Sequence, residues 1–182
     1  MLSVPAVAAI STSDKLLSVV QPNTGGDPRP VRAIWFNKSA DANWLVAWHQ
    51  DLAIAVRERI DVAGFNAWSV KQGVVHVQPP VEILERMLTV RIHLDDADSQ
   101  NGALRIIAGS HRHGKLDAAA IAHFRSSAGE VIAKVASGDA LLMRPLLLHA
   151  SGRSASGRPR RVLHLEYAGE DLPAGLAWNE PN

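Results

Sequence analysis

The segment Trp48-His49-Gln50-Asp51 sets an imidazole and a carboxylate two residues apart. On an extended strand, residues i and i+2 project from the same face, so His49 and Asp51 could reach one metal ion together. A third ligand must come from elsewhere and should also sit at a strand end; His149, which closes the apolar run Leu141 to Leu148, fits. Two histidines and one carboxylate on one face leave coordination positions open. That arrangement is diagnostic of non-haem Fe(II) oxygenases, which need room for a co-substrate and for dioxygen. Zinc prefers a closed or nearly closed tetrahedral site. The chain has eight histidines, so a His-x-Asp pair with a distant His arises easily by chance, and the triad needs independent support.

That support follows His149. Ser151 lies two residues on, and Arg160 lies eleven on, at the start of the next strand-like run. A hairpin between the two runs would bring Arg160 back alongside His149. Arginine presents a planar fork suited to a carboxylate through paired, charge-assisted hydrogen bonds. A dicarboxylate chelating a metal at one end needs such an anchor at the other. Arg161, next in sequence, would point to the opposite strand face.

Other polar residues fall where they could meet a substrate. Arg91 and His93 share one strand face with Thr89. If that face is interior, it offers two groups able to grip an acidic or polar substrate; if outward, it is simply solvated. His76, between Val75 and Val77, is a candidate substrate contact. His164 has the parity of Arg160 and should face the interior without binding metal. His111 and His113 resemble an H-x-H pair but sit in a Gly-flanked loop, so a second metal is not expected there, and His123 falls in a helical stretch. Trp44, Trp48 and Trp178 read as packing residues.

The elements that must carry these residues are mostly strands. Val31 to Phe36, Met87 to Leu94, Ala103 to Ile107, Glu130 to Ala136, Leu141 to His149 and Arg160 to Ala168 are strand-like. Ser13 to Val20 and Asp117 to Ser126 have helical composition, the second with Asp117 as N-cap. Residues 22–30 are rich in breakers. Residues 57–80 read as a long excursion, of the kind that forms active-site lids or binding loops. Several short strands with few helices favour an all-β sandwich or barrel.

Bulk properties narrow the classes. A chain of 182 residues suits one domain with a sizeable core, and 47% hydrophobic with 20% charged residues is ordinary globular composition. A net charge of +1 gives no reason to expect nucleic acid or a membrane surface as partner. There are no cysteines, so any metal must be held by His, Asp or Glu. The apolar first ten residues are too short for a membrane span and poorly flanked for a signal peptide, so a cytoplasmic protein is expected.

The sequence resembles the phytanoyl-CoA dioxygenase family of Fe(II)- and 2-oxoglutarate-dependent oxygenases. The resemblance rests on WHQD at 48–51, NGALRIIAGSHRHG at 101–114, GDALLMRPLLLHAS at 138–151 and PRR at 159–161, and covers roughly residues 31–178. It implies a mainly β fold, a double-stranded β-helix (a jelly-roll, cupin-like barrel) with a few flanking helices. It also implies Fe(II) on His49, Asp51 and His149, with the far carboxylate of 2-oxoglutarate on Arg160 and Ser151. By the same resemblance, Trp68 is the nearest match to an aromatic residue lining the cofactor pocket. Lys38 corresponds to a recurrent lysine that could line the pocket mouth and meet substrate. The implied reaction converts 2-oxoglutarate and O2 to succinate and CO2 while hydroxylating a small-molecule substrate.

Relatives that halogenate replace the carboxylate ligand with a small residue; Asp51 is present, so halogenation is not expected. Residues 1–30 are shorter than the usual N-terminal flank, which would leave one sheet edge less covered. Ala108 stands where Pro is common in the family. Two rival classes are a cupin-like metal-dependent isomerase or hydrolase without 2-oxoglutarate, and a non-catalytic β-barrel binding module. Substrate identity and oligomeric state stay open.

Overall fold

The computed structural model describes residues 1–179. Helices α1 (Pro5–Ser11) and α2 (Asp14–Thr24) open the chain, followed by strands β1 (Arg29–Lys38), β2 (Val46–His49) and β3 (Ile54–Val56). Then come β4 (Asn66–Lys71), β5 (Val74–Gln78), α3 (Val81–Arg86), β6 (Leu88–His93) and β7 (Leu104–Ile106). After a 3-10 turn (Ser110–His113) and α4 (Ala118–Ser127), the chain ends in β8 (Val131–Ile132), β9 (Ala140–Met143), β10 (His149–Ser151) and β11 (Arg160–Ala168). Two four-stranded sheets, in the orders β1-β11-β6-β9 and β2-β10-β7-β8, form a double-stranded β-helix of the jelly-roll, cupin-like kind; a three-stranded sheet, β3-β5-β4, accompanies them.

The chain divides into two compact units. One comprises Met1–Ile34, Leu52–Thr89 and the chain from Leu165; the other comprises Trp35–Asp51 and Val90–His164. In the first unit, residues 57–80 are not a structureless excursion. Lys71 pairs with Val74 across a two-residue turn, Gln72-Gly73, both at positive φ (51° and 79°). Such a turn matches the twist of the strands it joins, so β4 and β5 form a tight hairpin. The core of this unit gathers Val20, Val31, Ile54, Val56, Val77 and Leu165, all at most 1% exposed. The Tyr167 hydroxyl donates to the Ser11 carbonyl (2.8 Å), tying the first helices to β11. Helix α2 runs past its expected end at Val20, through Pro22, and stops within the next turn at Thr24.

The second unit carries the polar constellation. Its core includes the cluster Leu104, Met143 and Leu147 and the cluster Ile107, Leu116 and Leu148, the latter packed by Trp48, Ile121 and Phe124. Asp117 caps α4 as expected, its carboxylate accepting the Ala120 N–H at 2.7 Å, a contact worth about 1 kcal/mol. The expected single strand Leu141 to His149 is two strands instead. Pro145 has no N–H to give a ladder, and a turn closed by the Leu147 N–H on the Arg144 carbonyl (3.0 Å) separates β9 from β10. His149 therefore opens a strand rather than closing one. The hairpin expected between His149 and Arg160 is also absent: β10 pairs with β2 and β7, whereas β11 lies in the other four-stranded sheet.

Leu148 precedes His149 and is fully buried. Leu148→Ala is expected to cost about 2–5 kcal/mol in chemical denaturation and to loosen β10 where it presents His149. A cost within experimental error would show that this cluster does not hold the strand.

Candidate functional site

His49 and His149 are direct partners in the β2–β10 pairing, which sets their rings side by side, centroids 4.3 Å apart. Each Nδ1 lies 2.8 Å from the carbonyl two residues earlier, Ala47 for His49 and Leu147 for His149. A carbonyl can only accept, so each Nδ1 must carry the proton and each Nε2 of the neutral rings presents a lone pair. Both lone pairs converge on Asp51: His49 Nε2 is 3.4 Å from Oδ1 and His149 Nε2 is 3.8 Å from Oδ2. One ligand atom from each residue lies within 4.8 Å of the others.

β2 stops at His49, so Asp51 does not share a strand face with it as the spacing suggested. Asp51 is placed by its neighbours. Its N–H donates to the Pro145 carbonyl (2.9 Å). Gln50, buried between the two ligands, donates through Nε2 to the Gly114 and Leu146 carbonyls (2.8 and 2.7 Å) and accepts the Leu116 N–H (2.8 Å). Its amide thus ties the segment from His49 to Asp51 to both loops beside it. The sequence reasoning passed over Gln50; the available signal was an amide between two ligands, which needs several partners if buried. Ser110, in the same loop as His111 and His113, was also passed over. Its hydroxyl accepts the Leu148 N–H at 2.8 Å, immediately before His149.

Burial brings His149 down to about 4, only partly offset by the Asp51 charge. His49 moves the other way, raised by its hydrogen bond with Asp51 against the effect of burial. Burial alone would raise the Asp51 carboxyl, but the His49 hydrogen bond and the surrounding positive charge hold it well below the usual carboxylate range. Three acceptor atoms converging without a donor repel one another. A proton on His49 relieves this at low pH, and a cation relieves it at higher pH. The donor set of two imidazoles and a carboxylate fits a divalent first-row metal.

A second cluster lies in the same compact unit. Ser151 Oγ donates to the Gly102 carbonyl (2.9 Å) and accepts from Lys38 Nζ (3.0 Å) and Arg160 Nη2 (3.3 Å). Lys38 also donates to the Gly152 carbonyl (2.6 Å) and lies over the Trp44 ring, so it is fully buried against Ser151 rather than at a pocket mouth. The close fit requires Gly102: at φ +76°, a Cβ there would stand 2.6 Å from the Gly152 carbonyl oxygen. Arg160 is 3% exposed, with Nε and Nη1 unpartnered among the described residues. Arg161 points outward and pairs with Asp95.

Arg91 and His93 face inward, 4% and 2% exposed. Arg91 Nη1 donates to His164 Nδ1 at 2.8 Å, so His164 is interior too. Trp68 and His76 are carried by the other compact unit. Trp68 lies on β4 under the Arg59 guanidinium; His76 is buried on β5, its Nδ1 donating to the Val74 carbonyl at 3.0 Å. His113 packs edge-on against Phe124, and the described residues contain no metal-type cluster besides His49, Asp51 and His149.

Comparison with known proteins places these features. The sequence profile of the phytanoyl-CoA dioxygenase family matches residues 18–162. No curated protein matches the sequence significantly. AviO1 from Streptomyces viridochromogenes is 25% identical, with a TM-score of 0.65 over 94% of this chain and 64% of that one. EctD from S. alaskensis, solved with 2-oxoglutarate and 5-hydroxyectoine, is 20% identical with a TM-score of 0.68 over 90% of this chain and 52% of that one. The 2-oxoglutarate-dependent epimerase SnoN is 18% identical with a TM-score of 0.62 over 95% of this chain and 58% of its own. The chain spans between a third and two thirds of the length of the solved structures it matches.

The opposed shifts of the two histidines set a pH dependence for metal uptake. His149 is already neutral near pH 7, whereas His49 must lose a proton to bind metal. Fe(II) affinity, measured anaerobically by calorimetry, is therefore expected to fall as pH drops through the raised pKa of His49, with proton release on binding. Affinity unchanged from pH 8 to pH 5.5 would contradict this.

Proposed function

This chain belongs to the phytanoyl-CoA dioxygenase family, and on that premise we propose that it is a non-haem Fe(II)- and 2-oxoglutarate-dependent oxygenase that hydroxylates a small molecule. The observation that carries the reading is the convergence of His49 Nε2, His149 Nε2 and the Asp51 carboxylate in the same unit as the Lys38–Ser151–Arg160 cluster. In this reading His49, Asp51 and His149 hold the iron. Arg160 and Lys38 hold the far carboxylate of 2-oxoglutarate, with Ser151 keeping the two cations together. Bound iron, with 2-oxoglutarate and O2, supplies the oxidising chemistry, and succinate and CO2 are the co-products.

The chain's own contribution is orientation and charge. The two i−2 carbonyls fix the imidazole tautomers, and Gln50 and Pro145 fix the carboxylate between them. Arg160 is buried without a carboxylate partner, an arrangement costing several kcal/mol unless an anion arrives. A metal-dependent isomerase, a hydrolase or a passive binding module does not by itself call for that charge, whereas a dicarboxylate co-substrate does. Hydroxylation is the outcome proposed first; epimerisation, the activity named for SnoN, is the neighbouring alternative.

Substrate-independent succinate release from 2-oxoglutarate tests the assignment. It is expected to vanish in Asp51→Ala and to fall at least tenfold in Arg160→Gln; unchanged turnover in both would remove these residues from the site. Lys38 adds a pH signature. Burial first, and the Arg160 charge second, bring it down to about 8, so it loses its charge above that pH. Affinity for 2-oxoglutarate is expected to hold below pH 8, to weaken above it, and to be weak and flat in Lys38→Met. The same alkaline weakening in the variant would exclude Lys38.

A further inference from the structure

The interior of the second unit carries more positive charge than the proposed co-substrate can balance. Its fully buried charged side chains are Lys38, Arg91 and Arg160, and the carboxylate whose charge acts on Arg91 is Asp51. Three cations against one anion leave an excess of two positive charges. A divalent iron and a doubly charged 2-oxoglutarate cancel each other and leave that excess in place. Buried charge without a counter-ion is expensive, and such excess marks a site built for an anion.

Arg91 is the cation that the Ser151 cluster does not include. Its Nη1 is taken by His164, and its guanidinium lies over the Phe36 ring, 5.2 Å from the guanidinium carbon to the ring centroid. Its Nε–Nη2 edge makes no hydrogen bond among the described residues, although Nε is fully buried. That edge is the side of a guanidinium that donates to two carboxylate oxygens in parallel. His93 lies two residues along the same face of β6, with both ring nitrogens buried and unpartnered. Burial foremost, then the charges of Arg91 and Arg160, bring His93 down to about 4, so its ring is neutral and has one N–H to donate. Arg91 itself is lowered by burial only to about 10 and stays charged at neutral pH.

We propose that the Nε–Nη2 edge of Arg91, assisted by His93, seats a carboxylate of the organic substrate, so that this oxygenase acts on carboxylic acids. The inference rests on the oxygenase reading above, because the charge excess is counted with iron and 2-oxoglutarate in place.

The test is anaerobic calorimetry on the protein loaded with Fe(II) and saturating 2-oxoglutarate. Acetate is the probe and acetamide its uncharged match. The unmodified protein is expected to take up acetate saturably and acetamide not at all. In Arg91→Gln, acetate affinity should fall at least tenfold while 2-oxoglutarate affinity stays within about twofold; Arg91→Lys should restore part of the acetate binding, and His93→Phe should weaken it. If 2-oxoglutarate affinity falls in Arg91→Gln as far as in Arg160→Gln, Arg91 belongs to the co-substrate cradle and the proposal is overturned. Equal acetate affinity in Arg91→Gln, or no acetate uptake by the unmodified protein, overturns it too. Should Arg91→Gln fail to fold, the Arg91→Lys and His93→Phe titrations decide, and acetate affinity unchanged in both rejects the seat. Failure of the unmodified protein to bind 2-oxoglutarate at all would instead sink the oxygenase reading, and this inference with it.

Discussion

Two lone pairs and a carboxylate are aimed at one point, and the structure around them works to keep them there. With both imidazoles neutral, no donor among the described residues satisfies that convergence. Each imidazole is held by the carbonyl two residues before it, so in the neutral form neither turns its N–H toward Asp51. Asp51 is locked in turn by the Pro145 carbonyl and by the Gln50 amide that precedes it. A cation is the natural resolution. The register of β2 on β10, the break at Pro145 and the packing of Leu148 can all be understood as means of holding this unfavourable arrangement in place.

The same logic extends to the cationic cluster. Lys38 and Arg160 are held at one serine oxygen by the backbone closeness that Gly102 permits. Like charges brought together in a buried place are costly, and under the proposed function the cost is recovered when a dianion binds. Under the proposed function, metal site and anion cradle share a design: each is destabilised when empty and satisfied by its ligand. Stability lost at such places is a common companion of function.

Much of this was legible in the sequence. The triad, Ser151, Arg160, the inward parity of His164 and the cap at Asp117 all follow from residue type and spacing, helped by the family resemblance. The arginine fork and the i, i+2 alternation of Arg91 and His93 were readable because strand periodicity is strict. What could not be read depended on contacts distant in sequence. The Leu141 to His149 run looks like one strand because its apolar residues are continuous, and the turn at Pro145 outweighs that pattern. Arg160 meets Ser151 by bringing two sheets together rather than through a hairpin, and only the strand order reveals this. Residues 57–80 read as a long excursion in the sequence because Gln72-Gly73 is a weaker turn signal than Asn-Gly or Asp-Gly. Gln50 and Ser110 went unnoticed because their partners are backbone groups, which leave no trace in composition.

The decisive property is whether the converging atoms hold Fe(II) together with 2-oxoglutarate. The direct measurement is the visible absorption of the protein during anaerobic titration with Fe(II) and then 2-oxoglutarate. A weak charge-transfer band that saturates at one iron and one 2-oxoglutarate per chain is the result predicted. No band, together with tight binding of Zn(II) that 2-oxoglutarate leaves unaffected, would contradict it.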